Sequence, residues 1–176
     1  MVDSQIRHAQ TSDAASIASI YNQYVGEGPY TMDQTPWTES LVTQRIHDSD
    51  PRQVCGVVTC GEEVAGWGAL RRFSDREGYW ICCEISLYFD RRRTGQGMGH
   101  GLMEWLIDQA EHHGYQHIVS RIVSTNESSL RFHYRHGFEL VGVQRDVGLI
   151  AGKLTNVTIL QRLLRRRDEF APEGDP

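Results

Sequence analysis

Ten consecutive residues, Thr94-Gly95-Gln96-Gly97-Met98-Gly99-His100-Gly101-Leu102-Met103, place glycine at every second position four times and then run into an apolar, helix-forming stretch. A glycine-rich turn that feeds a helix N-terminus leaves several backbone N–H groups unpaired and pointing one way, which makes a cradle for an anion, usually a phosphate. The two common phosphate loops do not fit. A dinucleotide fingerprint needs G-x-G-x-x-G, and from Gly95, Gly97 and Gly99 its last position falls on His100, Leu102 and Glu104. A Walker loop closes on Gly-Lys-Ser/Thr, and no lysine is near. What remains is a G-x-G turn preceded by Arg91-Arg92-Arg93, a basic run beside the cradle.

Other chemistry is less well supplied. Cys82 and Cys83 are adjacent, so on a strand they point to opposite faces and suit neither a chelate nor a bridge. Cys55 and Cys60 lack C-x-x-C spacing, and the four thiols read as free and buried. His113 and His117 have helical i,i+4 spacing, but Gly114 stands between them as a helix stop. No metal site is expected.

The elements that must position the glycine turn can be read from periodicity. Ser4 to Ala9 alternates as a strand. Thr11-Ser12-Asp13 offers capping chemistry for a helix carrying Ala14, Ile17, Ile20, Tyr21 and Tyr24 on one stripe, ended by Gly26 to Pro29. A second amphipathic stretch holds Leu41, Val42, Arg45 and Ile46. Gln53 to Cys60 and Val64 to Arg72 read as a hairpin about Gly61-Glu62-Glu63, and Tyr79 to Phe89 as a third long strand leading into the turn. The helix after the turn stops at Gly114. His117 to Ser124 follows as a strand, Asn126 to Arg135 as a short helix ended by Gly137, and Phe138 to Arg145 and Leu154 to Leu160 as the last strands. The order is β-α-α-β-β-β-α-β-α-β-β, and ligands of open α/β sheets bind beyond strand C-termini, where the turn sits.

The whole chain of 176 residues is the size of one domain, and 39% hydrophobic with 23% charged residues is a globular composition. A net charge of −5 argues against general nucleic-acid binding. Neither a signal peptide at Met1-Val2-Asp3-Ser4-Gln5 nor an apolar run of membrane-spanning length is present, so a cytoplasmic protein without membrane contact is expected. From Arg165 charge, Pro and Gly dominate, and residues 165–176 are expected to form a disordered tail.

G-x-G on a strand-to-helix turn after a basic run resembles the acetyl-CoA pyrophosphate loop of the GNAT N-acetyltransferases, written Gln/Arg-x-x-Gly-x-Gly/Ala. In one register Gly97 and Gly99 are the two glycines, Leu102-Met103 matches the family's Leu-Leu pair, and Thr94 departs from Gln/Arg. In the other, Arg92-x-x-Gly95-x-Gly97 restores the arginine and displaces the apolar pair. Asn126, Ser129 and Gly137-Phe138 resemble the family's Asn-x-x-Ala...Gly-Phe motif. One branch is most similar, the phosphinothricin (methionine sulfoximine) N-acetyltransferases. Ile6-Arg7, Ala9, Asp13-Ala14, Ile17 and Ile20-Tyr21-Asn22 resemble its opening, with Thr31 and Pro36 in place. Glu84-Ile85-Ser86-Leu87-Tyr88-Phe89 resembles its Val-Glu-x-Ser-Val-Tyr-Val strand. Val147-Gly148...Gly152-Lys153-Leu154-Thr155-Asn156 echoes its Val-Gly...Gly-Arg-Trp-x-Asp segment. Leu154 for Trp, Asn156 for Asp and Ile150 for Lys depart from it at the acceptor end.

The resemblance implies an α/β GNAT fold: one domain over 1–164, with a central mixed, mostly antiparallel twisted sheet flanked by helices. It implies acetyl-CoA as co-substrate without a metal, a small amino acid or analogue as amine acceptor, and a homodimer. Glu84 falls at the branch's general base, which frees the amine lone pair by taking its proton; a glutamate merely paired with an arginine is the other reading. The backbone of Leu87, Tyr88 and Phe89 would pair with the pantetheine arm. Thr94, Gly95, Gln96, Gly97, Met98 and Gly99 would hold the pyrophosphate. Asn126 would bond the pantetheine or cap a helix, and His133, rather than its neighbour Tyr134, would serve as acid near sulfur. Trp37, Trp67, Tyr30 and Tyr79 could line an acceptor pocket or belong to the core. Other amines (a polyamine, an antibiotic, a protein N-terminus) and an acyl-CoA sensor without turnover are the competing functions.

Overall fold

Residues 4–26, 28, 30–47 and 50–164 are described by the computed structural model. The expected helix stop at Gly26–Pro29 falls partly, and the expected tail 165–176 wholly, outside them. Among the described residues, seven strands form one sheet in the order β1-β2-β3-β4-β5-β7-β6. They are β1 Ser4–His8, β2 Val54–Cys60, β3 Glu63–Arg72, β4 Cys82–Phe89, β5 His117–Val123, β6 Glu139–Ile150 and β7 Lys153–Leu163. The helices are α1 Ala14–Asn22, α2 Glu39–Ile46, α3 Met98–His112 and α4 Glu127–Arg135. The sheet is mixed. Every neighbouring pair is antiparallel except β4 and β5.

Strand alternation sorts the apolar side chains onto two cores. On one face Leu102, Met103, Leu106 and Ile107 of α3 pack against Val58, Leu70, Cys83, Ile85 and Ile118. On the other, Ile17, Ile20 and Tyr21 of α1 and Val42 of α2 pack against Val57, Trp67 and Ala69. Gly68 lets α3 approach the sheet, since a Cβ there would stand 2.6 Å from Leu106 and 3.0 Å from the Ser86 carbonyl.

Most boundaries lie within a residue or two of those expected. Tyr79 to Ile81 are not strand, because a short 3-10 turn, Glu77–Tyr79, precedes β4. The last hairpin is longer than the expected strands, Phe138 to Arg145 and Leu154 to Leu160. Ala151 and Gly152 both take positive φ (47° and 76°), the geometry of a two-residue hairpin turn, so β6 and β7 run up to it on either side. The register shifts between Gln144 and Gly148, where Asp146 also has positive φ.

Candidate active site

The parallel ladder between β4 and β5 is short: Cys82 pairs with His117, Cys83 with Ile118 and Glu84 with Val119. Beyond Glu84, β4 continues along β3 as far as Phe89, and β5 continues along β7 to Val123. The two strands therefore splay. The N–H and C=O groups of one β4 edge, from Ile85 to Phe89, face the opening instead of a strand, an edge able to take an extended chain. The opening is a cleft of about 1100 Å³.

The glycine turn closes the head of this cleft. Gly95 and Gly97 have φ of 77° and 84°, a region that side chains rarely adopt, and a Cβ on either would meet nothing within 4 Å. The cradle is open and its requirement for glycine is conformational. Gly97 is the N-cap of α3, so the first-turn amides of the helix point into the cleft with the positive end of the helix dipole. Gly99 lies inside α3, where a Cβ would stand 3.3 Å from Phe132. Both registers of the motif thus contain glycines with a structural reason. Thr94, Gln96 and Met98 also line the cleft, and the Thr94 hydroxyl donates to the Arg91 carbonyl at 2.9 Å. Of the basic run, Arg91 and Arg93 line the cleft. Arg91 lies over the rings of Tyr24 and Tyr30, and Arg93 is paired with Glu63. Arg92 is turned onto Asp90 at 2.7 Å, and holds that carboxyl down to about 2.

Leu87, Tyr88 and Phe89 line one wall. Phe89 fits over a glycine: a Cβ on Gly66 would stand 2.3 Å from its ring. The Tyr24 hydroxyl donates to the Phe89 carbonyl at 2.6 Å. Burial pushes the Tyr88 phenol up to about 12, so it stays protonated. The opposite wall comes from β5 and α4. The Asn126 side chain accepts from the Ser129 N–H at 3.2 Å and so caps α4, while the residue also lines the cleft; both readings open in the sequence are compatible with its position.

Glu84 stands where the ladder ends. Its carboxylate is gripped by Arg121 of β5, whose Nε donates to Oε1 at 2.8 Å and whose Nη2 donates to Oε2. The arginine pairing open in the sequence is therefore present, and Glu84 is still partly accessible, its side chain 23% exposed. Arg121 itself lines the cleft, whereas Glu84, one residue before Ile85 where the lining of β4 begins, is not among the residues that line it.

His133 lines the cleft and is buried. Its Nδ1–H donates to the Ser129 carbonyl at 2.9 Å, which leaves Nε2 as the acceptor facing the Ser120 hydroxyl at 3.1 Å. Burial pushes its pKa down to about 4, so the ring is neutral near pH 7. A proton donor to sulfur needs the opposite state. The acid role expected for His133 does not match this geometry, because the ring contributes a lone pair and not a proton at Nε2.

Of the aromatic residues considered for an acceptor pocket, Tyr30 lines the cleft and Trp67 is core. Trp37 stacks on Tyr21 at 3.7 Å, and its indole N–H donates to Asp33 at 2.7 Å. Tyr79 pairs with Phe73 and is not among the residues lining the cleft. None of the four cysteines lines it either, and burial pushes Cys55 and Cys82 up to about 11, so their thiols are poor nucleophiles. Ser120, Arg121, Phe132 and Arg135 also line the cleft; they sit on elements legible in the sequence, but nothing local marks them as cleft residues.

The comparisons agree with this architecture. Residues 6–158 match the acetyltransferase (GNAT) domain. The chain is 32% identical over 170 residues to the L-amino acid N-acyltransferase MnaT of Escherichia coli, covering 93% of this chain and 96% of that one. It is 30% identical over 174 residues to an L-methionine sulfoximine/L-methionine sulfone acetyltransferase of Salmonella typhimurium, covering 96% and 98%. The structure of a GNAT superfamily phosphinothricin acetyltransferase from Sinorhizobium meliloti in complex with acetyl-CoA superposes with a TM-score of 0.89, at 26% identity over 99% of this chain and 95% of that one. With its glycine turn at the head of a splayed β4–β5 pair, this chain belongs to the GNAT acetyltransferase family.

Proposed function

We propose that the protein is an acetyl-CoA-dependent N-acetyltransferase whose acceptor is the amino group of a small amino acid or analogue of the phosphinothricin and methionine sulfoximine type. The observation that carries this reading is the splayed β4–β5 pair, with an anion cradle at its head and Glu84 at its apex. Acetyl-CoA fits what the cleft offers. The open turn at Gly95 and Gly97 and the guanidinium groups of Arg91, Arg93 and Arg135 suit its phosphates, and the β4 edge from Leu87 to Phe89, which pairs with no strand on that side, suits its amide-bearing arm. When bound, it supplies the acetyl group as a thioester.

Glu84 takes the proton of the acceptor ammonium, which has no lone pair until it is lost. Arg121 holds the carboxylate at the ladder's end in one orientation. Backbone N–H groups on the β4 edge stabilise charge developing on the acetyl oxygen. His133 keeps the Ser120 hydroxyl aimed at its own Nε2, so its part is positioning. The protein acts in the cytoplasm, in keeping with its free cysteines. It assembles as a homodimer; the edge strand β6, which exposes Leu140, Val141, Val143, Val147 and Leu149, is the surface we assign to the partner copy.

The test is consumption of acetyl-CoA, followed as loss of thioester absorbance, against a panel of free amines that includes both analogues. Glu84→Gln should lower kcat by about 10²–10⁴-fold, the usual worth of general-base catalysis, with acetyl-CoA affinity unchanged. Undiminished turnover by this variant would remove Glu84 as the base. Silence of the wild type across the panel, with acetyl-CoA bound, would favour a larger acceptor or a sensor.

A further inference from the structure

The first turn of α3 and the end of α4 meet at a group of donor atoms to which the proposed transfer assigns no role, His100 and His136 lying on the wall of the cleft. His100 and Glu104 are one helical turn apart on α3 and project from the same face. His136 is the C-cap of α4. One ligating atom from each of the three lies within 4.8 Å of the other two. His136 is held in one tautomer, because its Nδ1 lies 2.8 Å from the Phe132 carbonyl and a carbonyl only accepts. Its Nε2 therefore carries a lone pair, aimed at Nδ1 of His100 2.9 Å away. An imidazole whose far N–H is tied to a backbone carbonyl is oriented as metal-ligating histidines are.

We propose that His100 Nδ1, His136 Nε2 and the Glu104 carboxylate bind a divalent transition-metal ion of the zinc class. Two imidazoles and one carboxylate suit such an ion, whereas magnesium and calcium take oxygen donors. Ligand bonds of about 2.0–2.1 Å on a tetrahedron place two nitrogens roughly 3.4 Å apart, so the rings need to separate by about half an ångström. His100 is exposed and free to make that adjustment. The proton now between the rings moves to the other nitrogen of His100, so the ion replaces a hydrogen bond without net proton release. The fourth position is left to water. The ion is not required for acetyl transfer; because its ligands come from both helices bordering the cleft, it fastens α3 to α4 and stabilises the native state by mass action.

The test uses the full chain, free of any affinity tag and stripped with a chelator. Cobalt(II) is titrated in and followed by its visible d–d bands, zinc chloride is then added as competitor, and the melting temperature is read with and without zinc. The expected result is one equivalent bound without a thiolate charge-transfer band, displacement by zinc, and a higher Tm. His100→Ala, on an exposed side chain, and Glu104→Gln should each weaken binding by more than the roughly 10–100-fold typical of losing an outer partner, and should abolish the Tm rise. His136→Gln should do the same, with far-ultraviolet circular dichroism confirming that it folds. No saturable binding, a thiolate band, or undiminished binding by His100→Ala would overturn the proposal.

Discussion

Replacing His133 with Gln should flatten the acid side of the protein's stability profile. The imidazole is buried against Phe132 and Phe138, accepts from Ser120 and donates to the Ser129 carbonyl. That environment favours the neutral ring and pushes its pKa from the ordinary 6.5 down to about 4, chiefly through burial, with the nearby His136 adding to the effect. Between those two values the unfolded chain binds a proton that the folded chain refuses. Stability therefore rises with pH across the window and falls as acid is added. Each pH unit inside it is worth about 1.4 kcal/mol, so the drop from pH 7.5 to pH 5 attributable to this residue is about 2 kcal/mol. Glutamine can still accept from Ser120 but cannot titrate. Urea unfolding of both proteins at the two pH values gives the comparison. His113 and His117, also held below their ordinary value by burial, titrate in both proteins and cancel in the difference, as do the carboxylates of Asp13, Asp50 and Asp90. The wild type should lose about 2 kcal/mol more than His133→Gln on going to pH 5. Parallel losses would refute the neutral, buried state of the ring, and with it the argument against a proton-donating role.

The remaining expectations concern the cleft walls. Gly97→Ala puts a side chain at a φ of 84° with open space around it, so the cost is conformational; about 1–2 kcal/mol of stability should go, and the KM for acetyl-CoA should rise with kcat little changed. Gly66→Ala drives a methyl to 2.3 Å from the Phe89 ring, and overpacking of this kind costs about 1–3 kcal/mol, read as a lower Tm. Because Phe89 is also a cleft wall, that variant should bind acetyl-CoA more weakly in a calorimetric titration, which unchanged binding would contradict. Glu84→Gln, by contrast, should unfold at an unchanged or slightly lower temperature while losing turnover, since Arg121 is more than half exposed and can turn to solvent.

What could be read directly from the residues is what the backbone decides locally. The glycine-rich turn around Gly95 and Gly97, the helix start at Met98 and the alternation of β1 are properties of a few neighbouring residues, and each was legible. So were the positions of Glu84 and Asn126 on their elements, and the resemblance that ran through them. Periodicity reports which face a side chain takes, but not which strand lies beside it. The insertion of β7 between β5 and β6, the end of the β4–β5 ladder at Glu84, and hence the cleft itself, are choices among long-range pairings that leave no local trace. The same holds for the groups that set the chemistry. Arg121 meets Glu84 across 37 residues of chain, and His100 meets His136 across 36. His133 shows the division most clearly. Its place on a helix was evident in the sequence, but its protonation state was not, because burial under Phe138 and a hydrogen bond to Ser120 exist only once α4 has docked on the sheet. Sequence determined the cradle; tertiary structure decided which charges face it, since electrostatic neighbours are set by distance in space and not along the chain.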